Sequence, residues 1–295
     1  MSWENNVEQQ PFYVISAAIF GCTLLMGALV GGGSGLVGGM LLAFLIQWLA
    51  FLPAMANQDE RAFDAVGAST FLVVMAHSLS LGAGGPRQVL VSCLVAIWAV
   101  RLGTFLFSRT HRRQGDARFA HIKTNPAHFF MVWTLQGMWV SITALAAMVI
   151  NAATPGSALG LLDYIGTSVW VIGFGVEVLS DQQKTAFLKN PHNSGRFIHT
   201  GFWATSRHPN YLGEIMLWCG IAIIGLGVFS GLQWLALISP FFVFVLLNHI
   251  SAIPILEARA RRQWGAHPAF QDYVATVPPL MPHISTHQPP AQSGH

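Results

Sequence analysis

Ser206-Arg207-His208-Pro209-Asn210-Tyr211-Leu212-Gly213-Glu214 runs directly into the apolar Ile215-Met216-Leu217-Trp218. Proline lacks a backbone N–H and fixes φ, so it breaks a helix interior but suits a first turn. The stretch predicts a helix that begins here, with His208 beside its cap. Asn210, Glu214 and Trp218 recur every four residues and share one face of that helix. The unpaired N–H groups and dipole at a helix N-terminus attract anions, and Arg207 adds a full charge. A phosphorylated or otherwise polar ligand could be held here, at a membrane border. The plainer account is a capped transmembrane helix whose polar residues snorkel to its end.

The composition decides which surroundings that helix has. Of 295 residues, 53% are hydrophobic and 9% charged, and the mean hydropathy is +0.51. Soluble domains carry about 25% charged residues, so the deficit predicts an all-α, polytopic membrane bundle. The net charge of +3 and the lack of a basic run interleaved with aromatics exclude a nucleic-acid partner. Cys22, Cys93 and Cys219 all lie in apolar stretches and read as packing residues rather than disulfides or ligands. The start, Glu4 to Glu8, is acidic and lacks a basic n-region, so the first apolar segment is not expected to be a cleavable signal.

A spanning helix takes about 20 apolar residues, and eight segments are expected, near 12–30, 36–54, 64–82, 88–107, 129–150, 160–179, 211–228 and 232–255. They form a single transmembrane domain over 1–282, with N-terminal helices in 1–60 and a core in 61–282. The polar tail 283–295 is expected to be disordered. Gly31 to Gly35 opens no helix after a strand, so it reads as a tight turn rather than a dinucleotide fingerprint. Twelve of the fifteen Lys and Arg fall in three places: Arg109 to Lys123, Lys184 to Arg207 and Arg259 to Arg262. Two helices separate each pair, so all three lie on the cytoplasmic side of a multi-pass protein. This holds for a bacterial inner membrane or an endoplasmic-reticulum-type membrane. The long connections 108–128 and 180–210 are expected to be ordered lids, anchored by Phe119, Phe187, Phe197 and Trp203.

Charge inside a membrane segment is costly and marks candidate function. Asp64, Arg101, Glu177 and Glu214 are such charges and suggest a polar cavity near the cytoplasmic side. Each has a structural alternative: a cap for Asp64, snorkelling or pairing for Arg101, a helix-to-helix hydrogen bond for Glu177. The twelve histidines do not cluster with ligand spacing, so no metal is expected. No G-x-S-x-G occurs.

Ser180-Asp181-Gln182-Gln183-Lys184-Thr185-Ala186-Phe187, Gly195-Arg196-Phe197, Gly201-Phe202-Trp203 and the Ser206–Glu214 run with Trp218 resemble the steroid 5α-reductase C-terminal domain family. Glu257, Trp264-Gly265, Tyr273 and Pro278 to Pro282 are similar to that family's closing segment. The resemblance covers about 160–282 and continues more weakly through Phe63-Asp64, Arg101, Gly115 to Phe119 and Gln136-Gly137. It implies a seven-helix reductase core, with one extra N-terminal helix, that holds NADPH on the cytoplasmic side. The implied enzyme is an NADPH-dependent oxidoreductase of the CH–CH group. It would transfer hydride to a C=C bond conjugated to a ketone in a lipophilic, steroid-like or other lipid substrate. No protein partner is implied beyond membrane lipid and that substrate. On matching positions, Asp181, Asn210 and Glu214 would hold the cofactor and Arg101 would line its cleft. Arg196 and Arg207 join them on charge grounds, Trp218 and Glu257 from the matching motifs. Asp64 falls where the family keeps an acid that hydrogen-bonds the substrate carbonyl. Trp98 falls where the animal enzymes have a tyrosine; an indole donates one hydrogen bond but delivers no proton. A protonated Asp64 would stabilise the negative charge that builds on a carbonyl oxygen during hydride addition. The competing readings are an S-adenosylmethionine-dependent methyltransferase of the isoprenylcysteine methyltransferase type, which shares an Arg-His-Pro stretch, and a non-enzymatic transporter or assembly factor.

Overall fold

Among the described residues four α-helices begin at a proline, at Pro86, Pro126, Pro209 and Pro268. At a first turn the missing N–H costs nothing and the fixed φ is already helical. The computed structural model describes residues 2–31, 35–82, 84–112, 119–153 and 158–282; for 2–9 and 111–112 only the backbone is described. It is all-α, and no strand occurs among the described residues. The expected disordered tail 283–295, and Gly115 to Arg118 of the first expected lid, lie outside the described residues.

The helices are α1 (Ser2–Gly31), α2 (Leu36–Asn57), α3 (Phe63–Leu81), α4 (Pro86–Arg112), α5 (Pro126–Thr143), α6 (Leu145–Ala152), α7 (Leu161–Lys189), α8 (Pro209–Gly225), α9 (Ile238–Val245), α10 (Ala252–Trp264) and α11 (Pro268–Thr276). A 3₁₀ helix, Gly231–Leu237, precedes α9, and a π-helical turn, Leu246–Ile250, joins α9 to α10. Among the described residues six helices are long and apolar enough to cross a membrane, or seven if the bent α5–α6 pair counts as one span. Eight were expected from the sequence. The expected seventh segment is the 17-residue helix α8, about 26 Å long at 1.5 Å per residue and shorter than a ~30 Å hydrocarbon core. Leu25, Leu49, Leu52, Ile97, Val100 and Ile172 are exposed, an apolar exterior suited to lipid rather than water.

The second expected lid is shorter than 180–210. Helix α7 continues without a break through Lys189, so Ser180 to Phe187 are helical. Gln, Lys, Ala, Phe and Leu all sustain a helix once packing supports it. The irregular stretch begins at Asn190, whose side chain accepts from His192 N at the start of a short 3₁₀ turn.

By contact the chain divides into two compact units, residues 1–164 with 222–239, and residues 165–221 with 240–295. In the first, polar side chains tie the apolar helices together. Gln47 Nε2 donates to Thr70 Oγ1 at 2.8 Å, and Trp48 Nε1 to Thr134 Oγ1 at 3.0 Å. Asn151 Nδ2 donates to Ser78 and Ser92, each at 2.9 Å, and Ser239 Oγ donates to the Thr143 carbonyl. Arg87 grips buried Asp163 through two parallel bonds of 2.7 and 2.8 Å, the fork geometry that suits guanidinium and carboxylate.

In the second unit α7 and α8 meet backbone to backbone. A Cβ added at Gly213 would lie 2.5 Å from the Gly173 carbonyl oxygen and 2.6 Å from Glu177 N. One added at Gly220 would lie 2.6 Å from the Gly166 oxygen and 2.8 Å from Trp170 N. Moving up α8 from 213 to 220 moves down α7 from 173 to 166, so the helices run antiparallel with a two-turn glycine repeat. Small residues that let helix backbones touch are the usual means of packing where lipid supplies no hydrophobic drive.

Candidate functional site

The first unit contains a small cavity, of about 30 Å³, between α3, α4 and α5. Asp64, in the first turn of α3, and Trp98, in the middle of α4, both line it. The sequence-predicted pair is therefore brought together. Gly67, one turn along α3, makes room for Gln136: a Cβ there would lie 2.3 Å from Gln136 Nε2. Gln136 Nε2 donates to the Phe63 carbonyl at 3.1 Å, which fixes the start of α3 beside Asp64. Thr110 Oγ1 sits 3.5 Å from Asp64 Oδ2. The other walls are apolar and aromatic, with Phe71 edge-on to both Trp98 and Trp139 at 5.0 and 5.1 Å. Arg101 is not among the lining residues; its guanidinium lies 5.0 Å over the Phe105 ring.

The second unit contains a larger cavity, of about 120 Å³. Three of the residues expected to hold the cofactor line it: Arg196, Arg207 and Glu257. Lys184, quoted above within a motif and for orientation but given no role, is a third cation there, 4.5 Å over the Trp203 ring. Phe187, Trp203, Trp264 and Phe270 add aromatic walls.

Each wall is fixed from behind. Trp203 Nε1 donates to the Ser180 carbonyl at 3.1 Å, and Phe202 N donates to Gln183 Oε1 at 3.0 Å. These bonds dock the stretch after Asn190 back onto α7. Tyr273 OH donates to the Trp203 carbonyl at 2.7 Å, and burial pushes its phenol above the ordinary value, so it stays a neutral donor. Trp264 Nε1 donates to the Gly195 carbonyl at 2.6 Å. Behind them Phe197, Phe270, Tyr273 and Val277 form a buried apolar cluster.

The turn that opens α8 is held just as firmly. Arg207 N and His208 N donate to the carbonyls of Pro278 and Pro279, both at 3.0 Å, like two rungs of a strand pair. Arg207 Nη1 donates to the Val274 carbonyl at 2.8 Å. Arg207 Nε and His208 Nε2 converge on one oxygen, Glu257 Oε1, at 3.0 and 2.9 Å. Burial lowers the His208 pKa below its ordinary 6.5, with Glu257 pulling the other way. His208 is therefore neutral near pH 7, with Nε2–H donating to Glu257 and Nδ1 left as a buried acceptor without a partner.

The remaining predicted cofactor residues fall elsewhere. Asp181, Asn210, Glu214 and Trp218 do not line the larger cavity. They belong to the α7–α8 seam, where Gly213 against Glu177 brings residues near 177–181 beside the start of α8. Glu177, Asp181, Glu214 and Trp218 are buried there, and Asn210 Oδ1 is a buried acceptor without a hydrogen-bond partner. No group of three His, Cys, Asp or Glu placed to hold a metal occurs among the described residues.

A family model described as a protein of unknown function, DUF1295, matches residues 50–277. An uncharacterized protein of Schizosaccharomyces pombe is 22% identical over 241 residues, covering 69% of this chain and 70% of that protein. No solved structure matches.

Proposed function

We propose, from the premise that this chain belongs to the DUF1295 family, that it is a multi-pass membrane reductase. It uses NADPH to saturate a C=C bond conjugated to a ketone in a lipophilic substrate. The observation that carries this reading is the donor set of the larger cavity. Lys184, Arg196 and Arg207 stand there against a single carboxylate, Glu257, between aromatic rings. A phosphorylated nucleotide needs cations for its phosphates and a flat face for its base. Orphaned Asn210 Oδ1 on the adjoining helix is a further acceptor for a ligand N–H or O–H.

NADPH would supply the hydride; the chain's residues bind and polarise. Arg196 and Lys184 would neutralise phosphate, while the bonds to Glu257 and Val274 keep the Arg207 guanidinium aimed. In the smaller cavity a protonated Asp64 would donate to a ketone oxygen as charge develops on it. Trp98 would give a fixed wall and at most one N–H donor. The cofactor would enter from the cytoplasmic side, where the positive-inside rule puts Lys184 to Arg207.

The test is titration of purified protein with NADPH and, in parallel, with S-adenosylmethionine. NADPH should bind, and Arg196→Ala should weaken it by about tenfold, one charge-assisted hydrogen bond. Saturable binding of S-adenosylmethionine with none of NADPH overturns the reading.

A further inference from the structure

We propose that the outer face of α10 is a docking site for the headgroups of anionic phospholipid. Helix α10 closes the apolar stretch Gly231–Trp264, which is long and apolar enough to cross a membrane. By helical periodicity Ile253, Glu257, Ala260 and Trp264 share one side of α10. That side is occupied: Ile253 is buried, Glu257 and Ala260 line the larger cavity, and Trp264 Nε1 donates to the Gly195 carbonyl. The opposite side carries Ile255, Arg259 and Arg262, and all three are exposed. Neither of these arginines forms an ion pair among the described residues. The one carboxylate in α10, Glu257, lies on the other side and is taken up by Arg207 and His208. Two unpaired cations in line with an exposed isoleucine match the border of a bilayer, hydrocarbon first and phosphate beyond it. At 1.5 Å per residue Arg259 lies about 6 Å, and Arg262 about 10 Å, past Ile255 along the axis. The headgroup layer is about 5–7 Å deep on each side of the hydrocarbon core. Side chains on a helix lean toward its N-terminus, which brings both arginines back toward that layer. A guanidinium holds phosphate oxygens through two parallel N–H groups while its stem stays in hydrocarbon. No carboxylate on this face offsets the two charges, so a headgroup of net negative charge is favoured. A zwitterionic headgroup brings its own cation into the same space and gains less. The site stands whether or not the protein is a reductase.

The experiment titrates the full-length protein in detergent with radiolabelled phosphatidylglycerol and, separately, with phosphatidylcholine of the same acyl chains. Phosphatidylglycerol should bind about tenfold or more tightly, the effect of two basic side chains at a membrane surface. Arg259→Gln combined with Arg262→Gln should bring it down to the phosphatidylcholine level. Arg259→Lys combined with Arg262→Lys keeps the charge and should retain most of the preference. Arg61→Gln is the control: Arg61 is also exposed but already paired with Asp59, and its loss should change nothing. Both arginines of α10 are exposed, so every variant should keep the thermal unfolding transition of the unmodified protein. Equal binding of the two lipids, or a phosphatidylglycerol preference that survives the double glutamine variant, overturns the proposal. So does displacement of phosphatidylglycerol by an equal concentration of glycerol phosphate, the mark of a site for free phosphate rather than lipid.

Discussion

Glu257 serves one cation, Arg207, and one neutral donor, His208, through a single oxygen, and that sharing sets the behaviour of the larger cavity. Removing its charge leaves Arg207 buried with only the Val274 carbonyl as a fixed acceptor. Glu257→Gln should therefore weaken the fold of the second unit, by about 3–5 kcal/mol if the pair is fully desolvated and less as it remains partly wet. Thermal unfolding in detergent measures this. His208 gives a pH signature. Its folded pKa lies below the unfolded 6.5, so between those values the unfolded chain binds more protons. Stability from this group is complete above 6.5 and is lost as pH falls toward the depressed value. An unfolding midpoint that drops on going from pH 7 to 5.5, with the drop flattened in His208→Gln, is the expected result. Asp64→Asn should lower turnover about 100-fold or more while NADPH affinity is kept, as expected for loss of a proton donor or oxyanion partner. Steady-state rates beside NADPH titration separate the two quantities.

Among the elements, the α7–α8 seam is the most exacting. Gly213 and Gly220 each have backbone atoms, not movable side chains, where a Cβ would go. Gly213→Ala should therefore force the helices apart and cost about 1–3 kcal/mol, as overpacking does. The expectation is a lower unfolding midpoint with Gly213→Ala, and no change with Gly195→Ala beyond the strain of its φ of +77°, since nothing lies within 4 Å of a Cβ placed there. The beginning of this seam was legible in the sequence: Pro209 marked the start of α8, and the four-residue spacing of Asn210, Glu214 and Trp218 marked one face. Its other half was not. The run from Ser180 to Phe187 looked like a loop because it is polar, yet polarity alone does not end a helix that has left the membrane. Composition likewise revealed the apolar helices but not which of them bends, because no proline marks the 50° break between Thr143 and Leu145. Asp64 and Trp98, far apart in sequence, were paired by resemblance, and the cavity brings them together. Lys184, Trp203 and Tyr273 were visible as residues, but their joint role depends on contacts 20 to 70 positions apart.

For the whole molecule, the long apolar helices fit a multi-pass membrane protein, and the distribution of Lys and Arg predicts its orientation. Cysteines introduced at Ser194 and Gln263 should both react with an impermeant reagent in inside-out vesicles, and neither in right-side-out ones. Reaction from the opposite face would reverse the assignment of the cofactor side. The paired carbonyls of Pro278 and Pro279 also have a bearing on biogenesis. They clamp the turn at Arg207 and His208, although some seventy residues of later synthesis lie between. While the ribosome is still making α9 and α10, that turn has no clamp and Trp203 lacks Tyr273. A nascent chain thus cannot complete the larger cavity until translation has passed residue 279. Any stop codon before that point should yield inserted helices with an unfinished pocket, a species that quality-control proteases can tell from the completed protein.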